Sequence, residues 1–149
     1  MVVDFRFKKE PKRRIAYVGW KGTWQENRVR REFESLAKWL EAHQVKTGRW
    51  FFFEPGNRTF RVAIEVVGAA HGDGRVRVRT LPAAKVASVE FNPEEVSPRV
   101  VYHGITDWLR WRRKEHEIKS VGAYRETYSA NPWRDAKAWA HTEVQVVVK

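Results

Sequence analysis

Residues Ile15–Trp20 read IAYVGW and residues Val86–Phe91 read VASVEF, two short apolar runs of strand character that open the same order of elements. After the first, Gly22 and Asn27 mark a turn. Val29, Phe33, Leu36 and Leu40 then recur at helical spacing, with Arg30, Arg31, Glu34, Lys38 and Glu41 on the other side. That spacing predicts an amphipathic helix of about four turns. Trp50–Phe53 (WFFF) reads as an aromatic strand, Pro55-Gly56-Asn57 as a turn and Phe60–Val67 (FRVAIEVV) as another strand. After the second run, Ser97-Pro98 supplies an N-cap serine and a first-turn proline. Val101, Ile105, Trp108 and Leu109 follow as one apolar helix face. Tyr124–Tyr128 (YRETY) matches the WFFF strand, Asn131-Pro132 turns the chain, and Thr142–Val148 (TEVQVVV) matches Phe60–Val67.

The offset between matched positions drifts slowly: 71 from Ile15 to Val86, 72 from Phe33 to Ile105, 73 from Val45 to Ile118. A nearly constant offset over three elements is the signature of a duplicated unit. The expected fold is therefore α+β. Two strand–helix–strand–strand units share a pseudo-twofold axis, in an antiparallel sheet with both helices on one face. The expected division is one domain over 1–149, with repeat one at about 1–68, a linker at about 69–74 (Gly68–Gly74 reads GAAHGDG) and repeat two at about 75–149. Arg75–Thr80 (RVRVRT) alternates like an edge strand. A cleft between the halves is the expected ligand site.

Composition narrows the chemistry. There is no cysteine in the 149 residues, which excludes disulfides, thiolate metal sites and cysteine nucleophiles together. No apolar stretch approaches a membrane span or a signal peptide. Lys and Arg number 29 against 18 Asp and Glu, net +11, and the excess is spread over both halves. Such a charge raises nucleic acid as a partner. Eight tryptophans in one small domain exceed what a core this size needs.

Val78–Val89 (VRTLPAAKVASV), Gly122–Asn131 (GAYRETYSAN) and Thr142–Val148 together resemble the GyrI-like, or AraC-type effector-binding, domain. Tyr17–Trp24 (YVGWKGTW), Lys38-Trp39-Leu40 and the Trp50 strand extend the resemblance to the first half. The resemblance implies a fold of the kind the duplication predicts, holding small aromatic or lipophilic molecules, often cations, between its halves. It also implies that Glu126, in YRETY, is the family's pocket glutamate and Tyr128 its tyrosine. Some family members regulate transcription through a fused DNA-binding domain, and a subset hydrolyses cyclopropane-bearing compounds. Residues 1–14 are too few for a helix-turn-helix, so a stand-alone binder is expected.

Strand alternation places Tyr124, Glu126 and Tyr128 on one face. A carboxylate between phenols can be anchored by their hydroxyls and presented to a flat cation. On the residues alone, a solvated glutamate beside an arginine is the commoner role; the resemblance selects the pocket. Phe53 is the expected first-half counterpart of Glu126. Trp24, Trp39 and Trp111 are the expected cleft walls, with Trp108 beside them, and Trp50 is assigned to the core. If the protein is an enzyme, Glu126 activates water and Tyr128 or Tyr124 serves as acid; the residues favour a binder. The five histidines lack metal-ligand spacing, so neither metal nor cofactor is expected. The run Arg110, Arg112, Arg113, Lys114 could meet nucleic acid, but the end of a helix is an ordinary place for cations. Nucleic acid is therefore the less favoured partner. The expectation is a cytoplasmic monomer or homodimer, away from membranes.

Overall fold

The computed structural model describes residues 3–149. The chain runs β1 (Phe5–Glu10), β2 (Arg13–Lys21), α1 (Glu26–Ala42), β3 (Lys46–Gly56), β4 (Thr59–Val67), β5 (Arg77–Leu81), β6 (Ala84–Phe91), α2 (Pro98–Arg112), β7 (Val121–Tyr128), α3 (Ala136–Ala140) and β8 (Thr142–Val148). α2 starts on Pro98, whose missing N–H costs nothing in the first turn; Ser97 is its N-cap by position but makes no side-chain bond. Sequence periodicity did not assign β1 or α3. β1 holds its place through Phe7, whose ring lies 4.8 Å from that of Trp108. α3 is nucleated by Asp135, whose carboxylate accepts from the backbone N–H groups of Lys137 and Ala138.

All eight strands form one antiparallel sheet in the order β1-β6-β8-β7-β3-β4-β2-β5. The order is symmetric about the β7–β3 seam. The strand that opens each half crosses to the other: β1 pairs with β6, and β5 pairs with β2. Backbone ladders therefore tie the halves together at both edges as well as at the seam.

Register decides which residues share a face. Glu126 stands opposite Phe52 on one side and opposite Val144 on the other. That face carries both helices. Val29, Phe33, Leu36 and Leu40 of α1 pack on Ala16, Val18, Trp50, Val62 and Ile64. Val101, Ile105 and Leu109 of α2 pack on Ala87, Val89, Val144 and Val146. Removing one such fully buried ring, as in Phe33→Ala, costs roughly 3–5 kcal/mol. α1 lies over β4 and β2, and α2 over β6, so the central seam is the floor of a cleft between them.

The helix-free face is in part polar. Gln145 donates to Glu10 (3.0 Å) and Glu143 (2.5 Å), Arg125 donates to Gln145 (2.7 Å), and Lys8 reaches both carboxylates at 3.0 and 2.6 Å. Among the described residues, no buried side-chain nitrogen or oxygen lacks a partner, which is what makes such burial tolerable. Beside this network sits a small apolar cluster of Ile15, Phe51, Ala63 and Leu81, with Tyr17 and Phe53 packed against it.

The Gly68–Gly74 stretch is more than a passive connection. Asp73 accepts from the backbone N–H groups of Arg75 (3.1 Å) and Val76 (2.9 Å) and from the indole of Trp39 (2.9 Å), fastening the segment to α1.

Candidate functional site

Counting by twos along the seam places Trp50, Phe52 and Glu54 of β3 beside Tyr124, Glu126 and Tyr128 of β7. Trp50 stands opposite Tyr128, and Phe52 opposite Glu126. One oxygen of the Glu126 carboxylate accepts the hydroxyl of Tyr102, on α2, at 2.6 Å. The other accepts the hydroxyl of Tyr128 at 2.5 Å. The Tyr124 hydroxyl meets the Thr106 hydroxyl one turn beyond Tyr102, and the Tyr102 and Tyr124 rings lie 5.4 Å apart. Phe52 is buried against Phe60, and Trp24 lies against Phe52 with ring centres 5.6 Å apart. Beside these groups opens a cavity of about 390 Å³ lined by Phe52, Glu54, Tyr102, Ala123, Tyr124 and Arg125 and by the Pro55-Gly56 turn.

Burial, and after it the charge of Glu126, holds the phenols of Tyr102 and Tyr128 well above their ordinary value. Both remain protonated donors at any physiological pH. They satisfy the carboxylate with neutral groups, so its charge is not cancelled. No Lys, Arg or His among the described residues forms an ion pair with Glu126. Glu54 adds its charge beside Tyr102, and Glu26 beside Tyr128. In a chain of net charge +11, Glu126, Glu54 and Glu26 thus bring negative charge to the seam, with Arg125 also on the cavity.

The structure brings Glu126, Tyr124 and Tyr128 together, and Trp24 reaches the same group through Phe52. It places the other expected residues elsewhere. Phe53 lies on the helix-free face, its ring 6.0 Å from that of Phe51. It is also not the counterpart of Glu126. Ala16 stands opposite Ile64 as Ala87 stands opposite Val146. Trp50, opposite the same Ile64, therefore matches Tyr124, opposite the same Val146, and Phe52 matches Glu126. An error of one residue moves a strand position to the other face. Trp108 packs under β1 against Phe5 and Phe7, at the outer side of α2. Trp39 stacks on His43 at 3.9 Å and is bonded to Asp73. Trp111 is 77% exposed.

Tyr102, Thr106, Phe52 and Glu54 were not singled out from sequence. Helical phase held a signal for the first two, since Tyr102 and Thr106 are four apart and flank the buried Val101–Ile105 stripe. Period-two counting from Trp50 held one for Phe52 and Glu54.

A family model for the GyrI-like small molecule binding domain matches residues 4–149. The chain belongs to the GyrI-like family. No curated protein matches it in sequence. Among solved structures, this GyrI-like domain superimposes on the EcmrR C-terminal domain with a TM-score of 0.78 at 14% identity, covering 100% of this chain and 99% of that one. Against EcmrR in its DNA complex with RPo the TM-score is again 0.78 at 14% identity, over 99% of this chain but only 57% of that one. This GyrI-like chain thus spans little more than half of that protein. SAV2435 bound to tetraphenylphosphonium gives 0.55 at 11% identity, over 98% of this chain and 94% of that one. A hydrolase from Listeria innocua gives 0.62 at 10% identity, over 97% and 91%. At these identities the likeness is one of fold.

Proposed function

We propose that this GyrI-like domain holds a flat or lipophilic cation in the cleft between α1 and α2. Glu126 is the counter-charge, and Phe52, Trp24, Tyr102 and Tyr124 are the apolar surfaces. The observation that carries the reading is a carboxylate held by two neutral phenols, with no ion-paired cation among the described residues, in a strongly basic protein. Keeping a charge unpaired beside buried rings is unfavourable unless a ligand completes it. Ring faces attract the same kind of ligand, by about 0.5–2 kcal/mol per contact. The tetraphenylphosphonium bound to SAV2435 is a molecule of this chemistry. The proposal places the domain in a reducing, cytoplasmic setting, consistent with a chain free of cysteine, and it calls for no cofactor.

A second reading rests on Tyr124, whose phenol lines the cavity beside Glu126. Glu126 would activate water against a strained or electrophilic ligand, with Tyr124 delivering the proton. Tyr128 is poorly suited to that delivery, because its phenol is held above its ordinary value and surrenders its proton less readily.

Titration with two near-isosteres of opposite charge, tetraphenylphosphonium and tetraphenylborate, tests the binding reading through tryptophan quenching. The cation should bind saturably and the anion should not enter the cleft. Equal affinities would remove Glu126 as counter-charge. Mass spectrometry of ligand recovered after long incubation separates the two readings, since a water adduct would establish turnover.

A further inference from the structure

The helix-free face of the β4–β2–β5 end carries a feature that small-molecule binding in the cleft does not use. A cavity of about 400 Å³ opens there, lined among others by Tyr17, Trp20, Lys21, Arg61 and Arg77. The guanidinium groups of Arg61 and Arg79 lie over the Tyr17 ring at 5.6 and 5.2 Å. Register explains the convergence. Arg77 stands opposite Tyr17 and Arg79 opposite Ile15, while Arg61 lies between Phe53 and Gly19. Gly19 leaves the floor open: even a Cβ there would press on the Arg61 side chain at 3.3 Å.

None of Lys21, Arg61, Arg77 or Arg79 has an ion-pair partner among the described residues. Glu65 shares the face but is already engaged by Arg13 at 2.9 Å and by the Arg49 backbone N–H at 3.1 Å. Asp73, at the border, accepts from backbone N–H groups, and Arg75 turns its guanidinium to Ser35. The run at the end of α2 differs: Arg110 lies 3.9 Å from Asp107 and Arg112 lies 3.8 Å from Glu115. Two guanidinium groups over one ring, with Lys21 and Arg77 on the adjoining cavity, repel each other, and an anion spanning them relieves that repulsion.

We propose that this face binds the phosphodiester backbone of single-stranded nucleic acid. Alternate residues of β5 set Arg77 and Arg79 about 6.6 Å apart, the order of the separation of successive phosphates along a strand. Tyr17 and Phe53 are half-exposed beside the cations, and a single strand presents the bare base faces that such rings accept. A duplex keeps those faces stacked inside. The surface lies across the sheet from Glu126, so the sheet separates the ligand cleft at Glu126 from a basic polyanion face, and the two sites are independent.

Fluorescence anisotropy with a labelled oligothymidylate of about ten nucleotides tests the proposal. Neutralising three or four phosphates should give a log–log salt slope of about −2 to −3. Arg77→Gln with Arg79→Gln should lower affinity at least roughly tenfold and flatten the slope by about one. Both side chains are exposed, and circular dichroism with retained tetraphenylphosphonium quenching would report an intact fold. Tyr17→Ala should weaken binding about fivefold or more with the salt slope unchanged. Arg110→Gln with Arg112→Gln should change nothing. The proposal is overturned if the β5 pair has no effect, if the α2 pair carries the loss, or if heparin and duplex bind as tightly as the single strand with Tyr17→Ala without effect.

Discussion

Tyr102 of α2 donates its phenolic hydrogen to Glu126 of β7 across 2.6 Å, joining a helix of the second half to the strand at the centre of the sheet. The same carboxylate takes the hydroxyl of Tyr128 from its own strand. The acid is thereby aimed and partly desolvated without being neutralised.

Replacing Glu126 should therefore act on charge rather than on shape. Glu126→Gln is expected to weaken tetraphenylphosphonium binding by about 1.5–3 kcal/mol, the scale of a lost charged contact. A neutral ligand of similar bulk, triphenylphosphine oxide, should be affected far less. Calorimetric titration of both ligands against both proteins measures the difference, and parallel losses would refute it.

The Tyr102–Glu126 bond should also appear as a coupling in folding. Tyr102→Phe and Glu126→Gln are each expected to lower stability, and the double variant by less than their sum. The coupling should be about 1–2 kcal/mol for a hydrogen bond to a charged group. Urea denaturation of the four proteins gives it directly; strict additivity would show that the bond contributes nothing.

Acid should unfold the protein through the helix-free face. Burial, the largest influence on Glu10 and Glu143, pushes both carboxyls up. Bonds from Lys8 and Arg13 onto Glu10, and from Gln145, Lys8 and Ser88 onto Glu143, outweigh it, and both groups titrate below the ordinary 4.5. A depressed carboxyl contributes stability above its unfolded value and loses it as pH falls through its folded value. Stability should stay level from neutral pH to about 5 and then decline below 4.5. Lys8→Met should cost about 1–3 kcal/mol at pH 7, less than for a fully buried pair because Lys8 is partly exposed, and should make the acid decline shallower. Denaturant midpoints from pH 3 to 8 read both effects.

Gly72 should not tolerate a side chain. A Cβ there would collide with the Val76 carbonyl oxygen and lie 3.2 Å from the Arg77 Cα, both backbone atoms unable to swing aside. Gly72→Ala is expected to cost about 1–3 kcal/mol, lowering the thermal midpoint by about 3–10 °C. His71→Ala, one residue away and exposed, should leave the midpoint unchanged.

The amphipathic spacing of Val29, Phe33, Leu36 and Leu40 located α1, and all four side chains are buried. The alternation of RVRVRT pointed to an edge strand, and β5 is one. β1 escaped notice because its apolar positions are only Phe5 and Phe7 among charges, and their partner Trp108 lies about a hundred residues away. At the cleft, Tyr124, Glu126 and Tyr128 were legible as one face of a strand. Tyr102 was not, because its role depends on where α2 rests on the sheet.

Periodicities of 3.6 and two residues are local properties, and they determined all of this protein's elements but β1 and α3, their order, and the face on which Glu126 stands. Pairing is not local. That Phe52 rather than Phe53 lies opposite Glu126 follows from ladder register, and one residue of slip reverses a strand's faces. The tryptophans could not be assigned from sequence, since an indole serves equally against a core, a loop carboxylate or solvent, as Trp108, Trp39 and Trp111 do. Charge followed the same rule. The sequence spreads its +11 along the whole chain; only the packed sheet sets Glu126 on the cleft side and Arg61, Arg77 and Arg79 on the other, none of them ion-paired among the described residues.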